Sequence, residues 1–586
     1  MIRLFKNLKL KDWLLFLIAV LFIVSQVYLD LKMPDYMSKI TMLVQTEGSE
    51  MKDILLNGGY MLLCAFGSLV AAILVGFLMA RVSSDFSLNT RSRLYRKVES
   101  LSSGDIKKFS TSSLITRTTN DITQLEMVLG MGLQLLIKAP IMAIWAINKI
   151  VNKNFEFSII TGVAVVILLV AIITITLIVF PKFKIVQKLT DKINSVTREN
   201  LTGIRVVRAF NAEKFQEEKF AKVNNDLTNQ QLFNQKTFSI MMPVMYFIMH
   251  MLPLAIYFVG ATLINNSIMY DKIMIFSDMV VFTSYATQVI MSFLMLAMIF
   301  VMMPRATVSA KRINEVLDTN VGVKGGSLIQ YKDKNDDDVS VEFKNVSFKY
   351  PDAEEEVLKD ISFKVNKGET IAFIGSTGSG KSTLVNLVLR FYDVTSGEVL
   401  INGKNIKDYN LNYLYSKFGY VPQKAVLFSG DVKDNIALAD KVQNMEMIKT
   451  GAKVSEAEEF ILKMDKNYDT HIAQGGTNIS GGQKQRLAIA RAVYKDPDIY
   501  VFDDSFSALD YKTDQLVRSN LKKITKNACT LIVASRIGTI LHADKIVVLD
   551  EGKCVGIGTH QELMKTCEVY KQIALSQLSR KELQNA

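Results

Sequence analysis

Gly375-Ser376-Thr377-Gly378-Ser379-Gly380-Lys381-Ser382-Thr383 follows the apolar run Thr370-Ile371-Ala372-Phe373-Ile374 and leads into a helical run over 384–391. The spacing GxxxxGK[ST], in strand–loop–helix order, is a phosphate-binding loop. Its glycines let backbone N–H groups converge on phosphate oxygens, and the helix N-terminus behind them favours an anion. Lys381 supplies a charge for the β- and γ-phosphates, and the Ser382 hydroxyl is suited to Mg²⁺. The C-terminal half is therefore an α/β domain built around a nucleotide.

Two further segments extend this site. The apolar strand Ile499-Tyr500-Val501-Phe502 ends in Asp503-Asp504, and an acid at the end of a buried strand is the second Mg²⁺ anchor of such ATPases. Asn478-Ile479-Ser480-Gly481-Gly482-Gln483 precedes a helical run over 486–492. It offers another anion-binding helix start. One phosphate loop already serves this domain's own nucleotide, so the second suits a nucleotide held by another domain.

Upstream the character changes. The chain has 586 residues, 49% apolar and 22% charged, which fits an oily part joined to an ordinary one. Six apolar stretches of spanning length lie at 13–29, 57–80, 129–148, 157–180, 238–264 and 274–303. The first is longer than a signal-peptide core and has no small-residue cleavage site after it. Lys and Arg crowd 81–128 and 182–237, whereas 265–271 has neither. The positive-inside rule then puts the N-terminus, both basic loops and everything after 304 in the cytoplasm. The net charge of +12 is accounted for by this topology, with a lipid bilayer rather than nucleic acid as the surrounding partner. Four cysteines without CxxC spacing indicate a reducing compartment for the C-terminal three.

Both basic loops read as helix. Stretches 86–101 and 185–220 lack proline and carry apolar residues three and four apart. Arms of this kind form levers below the membrane, turning near 102–105 and 202–203. A linker with Gly322, Gly325, Gly326 and the charged run 332–338 precedes the soluble part. The expected architecture is an all-α transmembrane domain of six helices with long cytoplasmic extensions (1–320), a linker (321–338) and an α/β P-loop ATPase domain (339–586).

The succession of the phosphate loop, Val421-Pro422-Gln423, Ser480-Gly481-Gly482-Gln483, Asp503 and Ser507-Ala508-Leu509-Asp510 resembles an ABC ATPase domain. With six spans ahead of it, the whole chain is similar to a half-transporter of the ABC exporter superfamily, a multi-pass protein of the bacterial cell membrane with a cytoplasmic ATPase. The resemblance implies ATP and Mg²⁺ as cofactors. It makes Tyr350 the adenine-stacking aromatic and Gly375 to Thr383 the phosphate cradle. Ser382, Gln423 and Asp503 become the groups around the metal, with Gln423 also sensing the membrane domain. Ser480, Gly481, Gly482 and Gln483 complete the partner's ATP site, and Asp510 links the two sites. The turns near 103–109 and 203–215 resemble coupling helices that seat on ATPase domains.

The chain departs from that pattern twice at its own ATP site, and its signature is intact apart from Ile479 in a position that is usually leucine. The family's glutamate after Asp503, which polarises the attacking water, is Asp504 here, and its γ-phosphate histidine is replaced by Ser535. Losing a methylene withdraws the carboxylate by about an ångström, a misplacement that can cost ~10²-fold. Both changes beside an intact phosphate loop suggest a site that binds ATP and cleaves it poorly. This asymmetry resembles one subunit of the heterodimeric multidrug exporters of bacteria. The expected partner is a second half-transporter with the catalytic Glu and His and an altered signature. A homodimeric exporter of lipid or peptide, with Asp504 as its base, and a regulatory ATP-binding membrane subunit remain as alternatives.

Substrate signals are weaker. Methionines crowd the fifth and sixth spans, among them Met241, Met242, Met245, Met274, Met291 and Met298. They fit either a promiscuous pocket for a hydrophobic small molecule or lipid-facing filler. Phe247, Tyr285 and Phe293 suit either stacking on flat compounds or packing. Lys138, inside the third run, stands either at mid-bilayer on the transport path, where a charge tends to mark function, or near the cytoplasmic interface if its helix begins below the membrane; His250 and Asp278 are similar cases.

Overall fold

The computed structural model describes residues 2–5, 8–46, 48–151, 155–266, 269–329, 339–438 and 440–578. The charged run 332–338 lies outside the described residues. The chain divides into two units, Met1–Lys97 with Thr111–Asp318, and Val98–Ser110 with Thr319–Ala586. The second unit thus takes in a segment that the sequence reading assigns to the membrane domain.

Among the described residues, six helical stretches are long and apolar enough to cross a membrane. They contain α1 (Leu10–Gln45) and α2 (Met51–Ser100), which are followed by the short α3 (Ser103–Lys107) of the second unit. The third stretch, Thr111–Val151, passes through a π-helical turn at Val128–Gly132 into α4 (Leu133–Val151). Next come α5 (Phe155–Thr202), the short α6 (Ile204–Ala209), α7 (Glu213–Asn265) and α8 (Met269–Leu317). At ~1.5 Å per residue, a helix of some fifty residues runs about 75 Å, far beyond a ~30 Å hydrocarbon core. The expected extensions are these continuous helices. Leu21, Leu62, Phe77 and Leu177 point outward, as lipid-facing side chains do.

Polar pairs hold the membrane unit from inside. Asp30 of α1 pairs with Lys138 of α4 at 3.5 Å, both side chains 15% exposed, and accepts a short hydrogen bond from Ser68 of α2. Of the two placements open to Lys138, transport path or cytoplasmic interface, the structure shows neither as such; it shows an internal ion pair. Five residues on, Asp35 accepts from Lys149 of α4 at 2.6 Å and from the Tyr285 hydroxyl of α8 at 2.6 Å. Tyr285 is fully buried, so it is a packing residue rather than a stacking platform. Phe293 packs on the same core, while Phe247 is exposed. The methionines divide: Met245 and Met279 lie in the core, and Met242, Met251, Met291 and Met298 are exposed.

Among the described residues the second unit carries three sheets, two of them large and one a two-stranded pair at 430–431 and 471–472. Strands β1 (Val339–Phe348), β2 (Leu358–Asn366), β4 (Ser396–Ile401) and β5 (Lys404–Asn405) form an antiparallel sheet in the order β2-β1-β4-β5. The other large sheet contains β3 (Thr370–Gly375), β6 (Phe418–Val421), β7 (Ile499–Asp503), β8 (Cys529–Val533), β9 (Lys545–Asp550) and β10 (Lys553–Gly558), in the order β10-β9-β3-β8-β7-β6. Five of these run parallel, and β10 closes the edge antiparallel. Parallel strands buried on both faces read as continuous apolar runs; in β7 and β8 every residue is buried. Val533 of β8 is level with Phe373 of β3 and Asp503 of β7. Three loops therefore leave one edge together, carrying the phosphate loop, Asp504 and Ser535. That carboxyl edge is where open α/β sheets bind ligands.

The stretch before β1 lies on this unit backbone to backbone. Gly326 N–H donates to the Tyr409 carbonyl at 2.8 Å, and a Cβ on Gly326 would stand 2.1 Å from the Asp408 oxygen. Only glycine fits that approach.

Candidate nucleotide site

The phosphate loop joins β3 to α9 (Lys381–Val388). Gly378 and Gly380 have φ of +88° and +100°, a region that side-chain-bearing residues enter at a cost. These two turns roll the loop so that Lys381 Nζ reaches the carbonyls of Gly375 and Ser376 at 2.8 and 2.7 Å. Burial pulls the Lys381 ammonium below its ordinary range, opposed by Asp504 and Asp503.

Ser382 Oγ donates to Asp503 Oδ1 at 3.2 Å, which puts both metal-binding candidates together. Burial raises the Asp503 carboxyl above its usual range, and the negative Asp504 adds to this, while Ser382 and Lys381 oppose it. A cation would therefore be welcome there. Among the described residues no group of three His, Cys, Asp or Glu could hold a metal alone. A hydroxyl and one carboxylate with phosphates completing the shell fit Mg²⁺.

The Asp504 carboxylate is held on both oxygens. Ser535 donates its hydroxyl and N–H to Oδ1 at 3.0 and 3.3 Å, and Gln423 Nε2 donates to Oδ2 at 3.4 Å. Asp504 itself sits at φ +45°, a left-handed backbone that Asp tolerates better than most. The two departures from the family pattern thus meet in one hydrogen-bonded pair. Gln485, fully inside the first turns of α10 (Gly481–Tyr494), donates to the Pro422 carbonyl at 3.0 Å. It ties the Gln423 loop to the signature helix; the sequence reading passed over it because nothing local marks it.

Ser480 is the N-cap of α10. Its hydroxyl accepts from Gln483 N–H at 3.3 Å, and Gln483 Oε1 accepts from Ser480 N–H at 2.9 Å. This capping box leaves Gly481 and Gly482 at a clean helix start. Asp510 caps α11 (Tyr511–Ile524) by accepting from Thr513 N–H at 3.0 Å, which holds its carboxyl below the usual range. The structure brings together the phosphate loop, Gln423, Asp503, Asp504 and Ser535. Ser480 to Gln483 head a separate helix.

Tyr350 follows β1. Its hydroxyl meets Thr383 Oγ1 at 3.1 Å, and its ring stands edge-on to Tyr392 at 5.2 Å. Lys107 Nζ, from α3, lies 5.2 Å from the Tyr350 ring centre and 5.6 Å from that of Tyr392. The Tyr392 hydroxyl raises the Lys107 ammonium above its ordinary range. The sequence placed Lys107 only within the basic stretch 81–128 and the turn near 103–109, and no local pattern marks its partner. Asp105, nearly fully buried, accepts from Gly322 N–H at 2.8 Å and from the Ser102 hydroxyl at 2.6 Å. Burial alone would raise this carboxyl, but those hydrogen bonds outweigh it and leave it low. Asp105→Ala strands two of these donors, at about 1–3 kcal/mol. Limited proteolysis of the variant should open cleavage within 98–110 that the parent resists; unchanged protection would count against this anchoring.

The ABC transporter family model matches residues 358–507, and the ABC transporter transmembrane region model matches 15–293. An uncharacterized ABC transporter ATP-binding protein of Mycobacterium tuberculosis is 37% identical over 522 residues, 89% of this chain and 87% of the relative. YfiB of Bacillus subtilis, of the same description, is 34% identical over 566 residues, 96% of each chain. Over 233 residues, 40% of each chain, B. subtilis YgaD is 45% identical; its name assigns it to multidrug export. Among solved structures, a bacterial Atm1-family ABC exporter with ATP bound shares the fold, with a TM-score of 0.78 at 24% identity, over 96% of this chain and 98% of that one.

Proposed function

Because the chain belongs to the ABC transporter family, with membrane region and ATPase on one polypeptide, we propose that it is one half of a heterodimeric multidrug exporter. Its own phosphate-loop site binds ATP and cleaves it poorly. The chain is an integral membrane protein with a cytoplasmic ATPase that couples hydrolysis to transport. The observation that carries the proposal is the Asp504 carboxylate, whose oxygens already accept from Ser535 and Gln423. A base engaged in this way, and a methylene short of glutamate, is poorly placed to polarise water.

The remaining residues keep their binding tasks. Gly375 to Thr383 cradle the phosphates, Lys381 neutralises the β- and γ-oxygens, and Tyr350 offers its ring to adenine. Ser382, Asp503 and Gln423 would hold Mg²⁺, which would neutralise charge on the terminal phosphates. Ser480, Gly481, Gly482 and Gln483 present a positive helix end to the partner's ATP, and Asp510 stands between the two sites. The partner supplies the working Glu and His. Hydrophobic small molecules suit the exposed methionines of the fifth and sixth spans and Phe247, in line with the name carried by YgaD.

Two substitutions in the purified assembly test this. Ser480→Arg places bulk at a helix start meant for the partner's γ-phosphate and should lower total hydrolysis by about 10²-fold or more, the scale of losing a preorganised donor. Asp504→Asn should change it less than about threefold. The reverse pattern, with hydrolysis lost on Asp504→Asn, would make this chain's own site the working one and overturn the assignment. Recovery of the chain from its membrane as a fully active dimer of itself would do the same.

A further inference from the structure

The helix α13 (Glu568–Gln577) ends in a side chain that closes on the loop carrying Ser535. Gln577 Oε1 accepts from Ile537 N–H at 2.8 Å, and its Nε2 donates to the Ser535 carbonyl at 2.9 Å. One amide thus serves two backbone groups two residues apart, the Ser535 carbonyl in the bend and the Ile537 N–H that opens the short helix Ile537–Ile540, a first-turn donor with no partner inside its own helix. Ile537 is fully buried, so without Gln577 its N–H would be left behind the loop with no partner in this arrangement. On the other side of the loop, the Ser535 N–H and hydroxyl reach Asp504 Oδ1. Two links therefore separate the C-terminal helix from the carboxylate beside the phosphate loop.

The base of this lever is firm. Tyr570 and Ala574 of α13 are fully buried, and the Tyr570 hydroxyl meets His560 Nδ1 of α12 (His560–Thr566) at 2.7 Å. Gln577 itself is exposed, so core packing does not depend on it. Its bonds serve the loop alone.

We propose that Gln577 is a positioning residue of the nucleotide site. It pins the Ser535 loop, which keeps the Asp504 charge engaged by donors instead of facing the triphosphate. β8 lies between β3 and β7, so the loop leaving it borders both the phosphate loop and the Asp503 strand. Freeing that loop strips Asp504 of two donors and sets an uncompensated negative charge beside another. ATP then leaves faster. The proposal deepens, and rests on, the reading that this site retains ATP.

The test uses the full-length chain with its copurifying partner, loaded with labelled Mg-ATP and followed by rapid filtration. Gln577→Met keeps length and loses both bonds; Gln577→Glu keeps the acceptor for Ile537 N–H and loses the donor. ATP release should quicken about tenfold in Gln577→Met, the scale of one hydrogen bond to a charged group, and by less in Gln577→Glu. With Asp504→Ala as background, Gln577→Met should add less than about twofold, a dependence that a merely structural role would not produce. Unchanged release, or the same factor in both backgrounds, overturns the proposal. If Gln577→Met fails to accumulate, Gln577→Glu in both backgrounds decides it. The retained nucleotide is identified separately: ADP in place of ATP would sink the slow-cleavage reading, while the Gln577 dependence of release would still be measured.

Discussion

Replacing Asp504 by Glu together with Ser535 by His is expected to raise hydrolysis at this chain's own site by about 10²-fold. The measurement needs a background in which Ser480→Arg has silenced the partner's site. Each single change should give less than about tenfold. Glu alone brings the carboxylate forward, yet still faces the Ser535 hydroxyl and the Gln423 amide that now hold Asp504. His alone removes the short hydroxyl donor but leaves the base withdrawn. Position 504 also carries a cost of its own. Its φ is +45°, and glutamate lacks the short polar side chain that eases a left-handed backbone, so the variant should lose about 1 kcal/mol of stability. A double variant that binds ATP and hydrolyses no faster than its parent would mean that something other than these two side chains disables the site.

Asp30→Ala should destabilise the membrane unit by about 3–5 kcal/mol, because it leaves the Lys138 ammonium buried without its counter-charge. Ser68 would lose its acceptor as well. Thermal unfolding in detergent and yield from membranes would both report the loss. Removing the pair together, as Asp30→Leu with Lys138→Met, should recover most of it, since two apolar groups of similar volume cost little in such a place. Asp30→Ala with parental stability would show that Lys138 finds another acceptor or leaves the interior for the interface. A double variant as unstable as the single one would assign the loss to packing instead of charge.

The site was legible where its residues are near neighbours along the chain. The phosphate loop, the strand ending in Asp503-Asp504 and the capped helix at Ser480 are each local patterns whose spacing dictates backbone shape. Their order along the chain carried the resemblance that brought Gln423 and Asp510 in. What escaped were pairings across the fold. Gln485 reaches Pro422, Gln577 reaches Ser535 and Lys107 reaches Tyr350, and no periodicity marks any of these side chains. The membrane half shows the same division. Helix lengths followed from the absence of breakers around 86–101, but the π turn at Val128–Gly132 has no signature beyond two glycines. Lys138 was open to two readings because its partner is on another helix. Tyr285 was open to stacking or packing until Asp35 was found at its hydroxyl.

The residence of Val98–Ser110 in the second unit bears on any attempt to exchange ATPase modules between such proteins. The polypeptide visits that unit once before it settles there, so a graft made by one crossover near residue 320 would import an ATPase and leave its first instalment behind. Asp105 would face a foreign Gly322, and Lys107 a foreign Tyr350. A transplant that carries 98–110 along with 319–586 moves the whole unit.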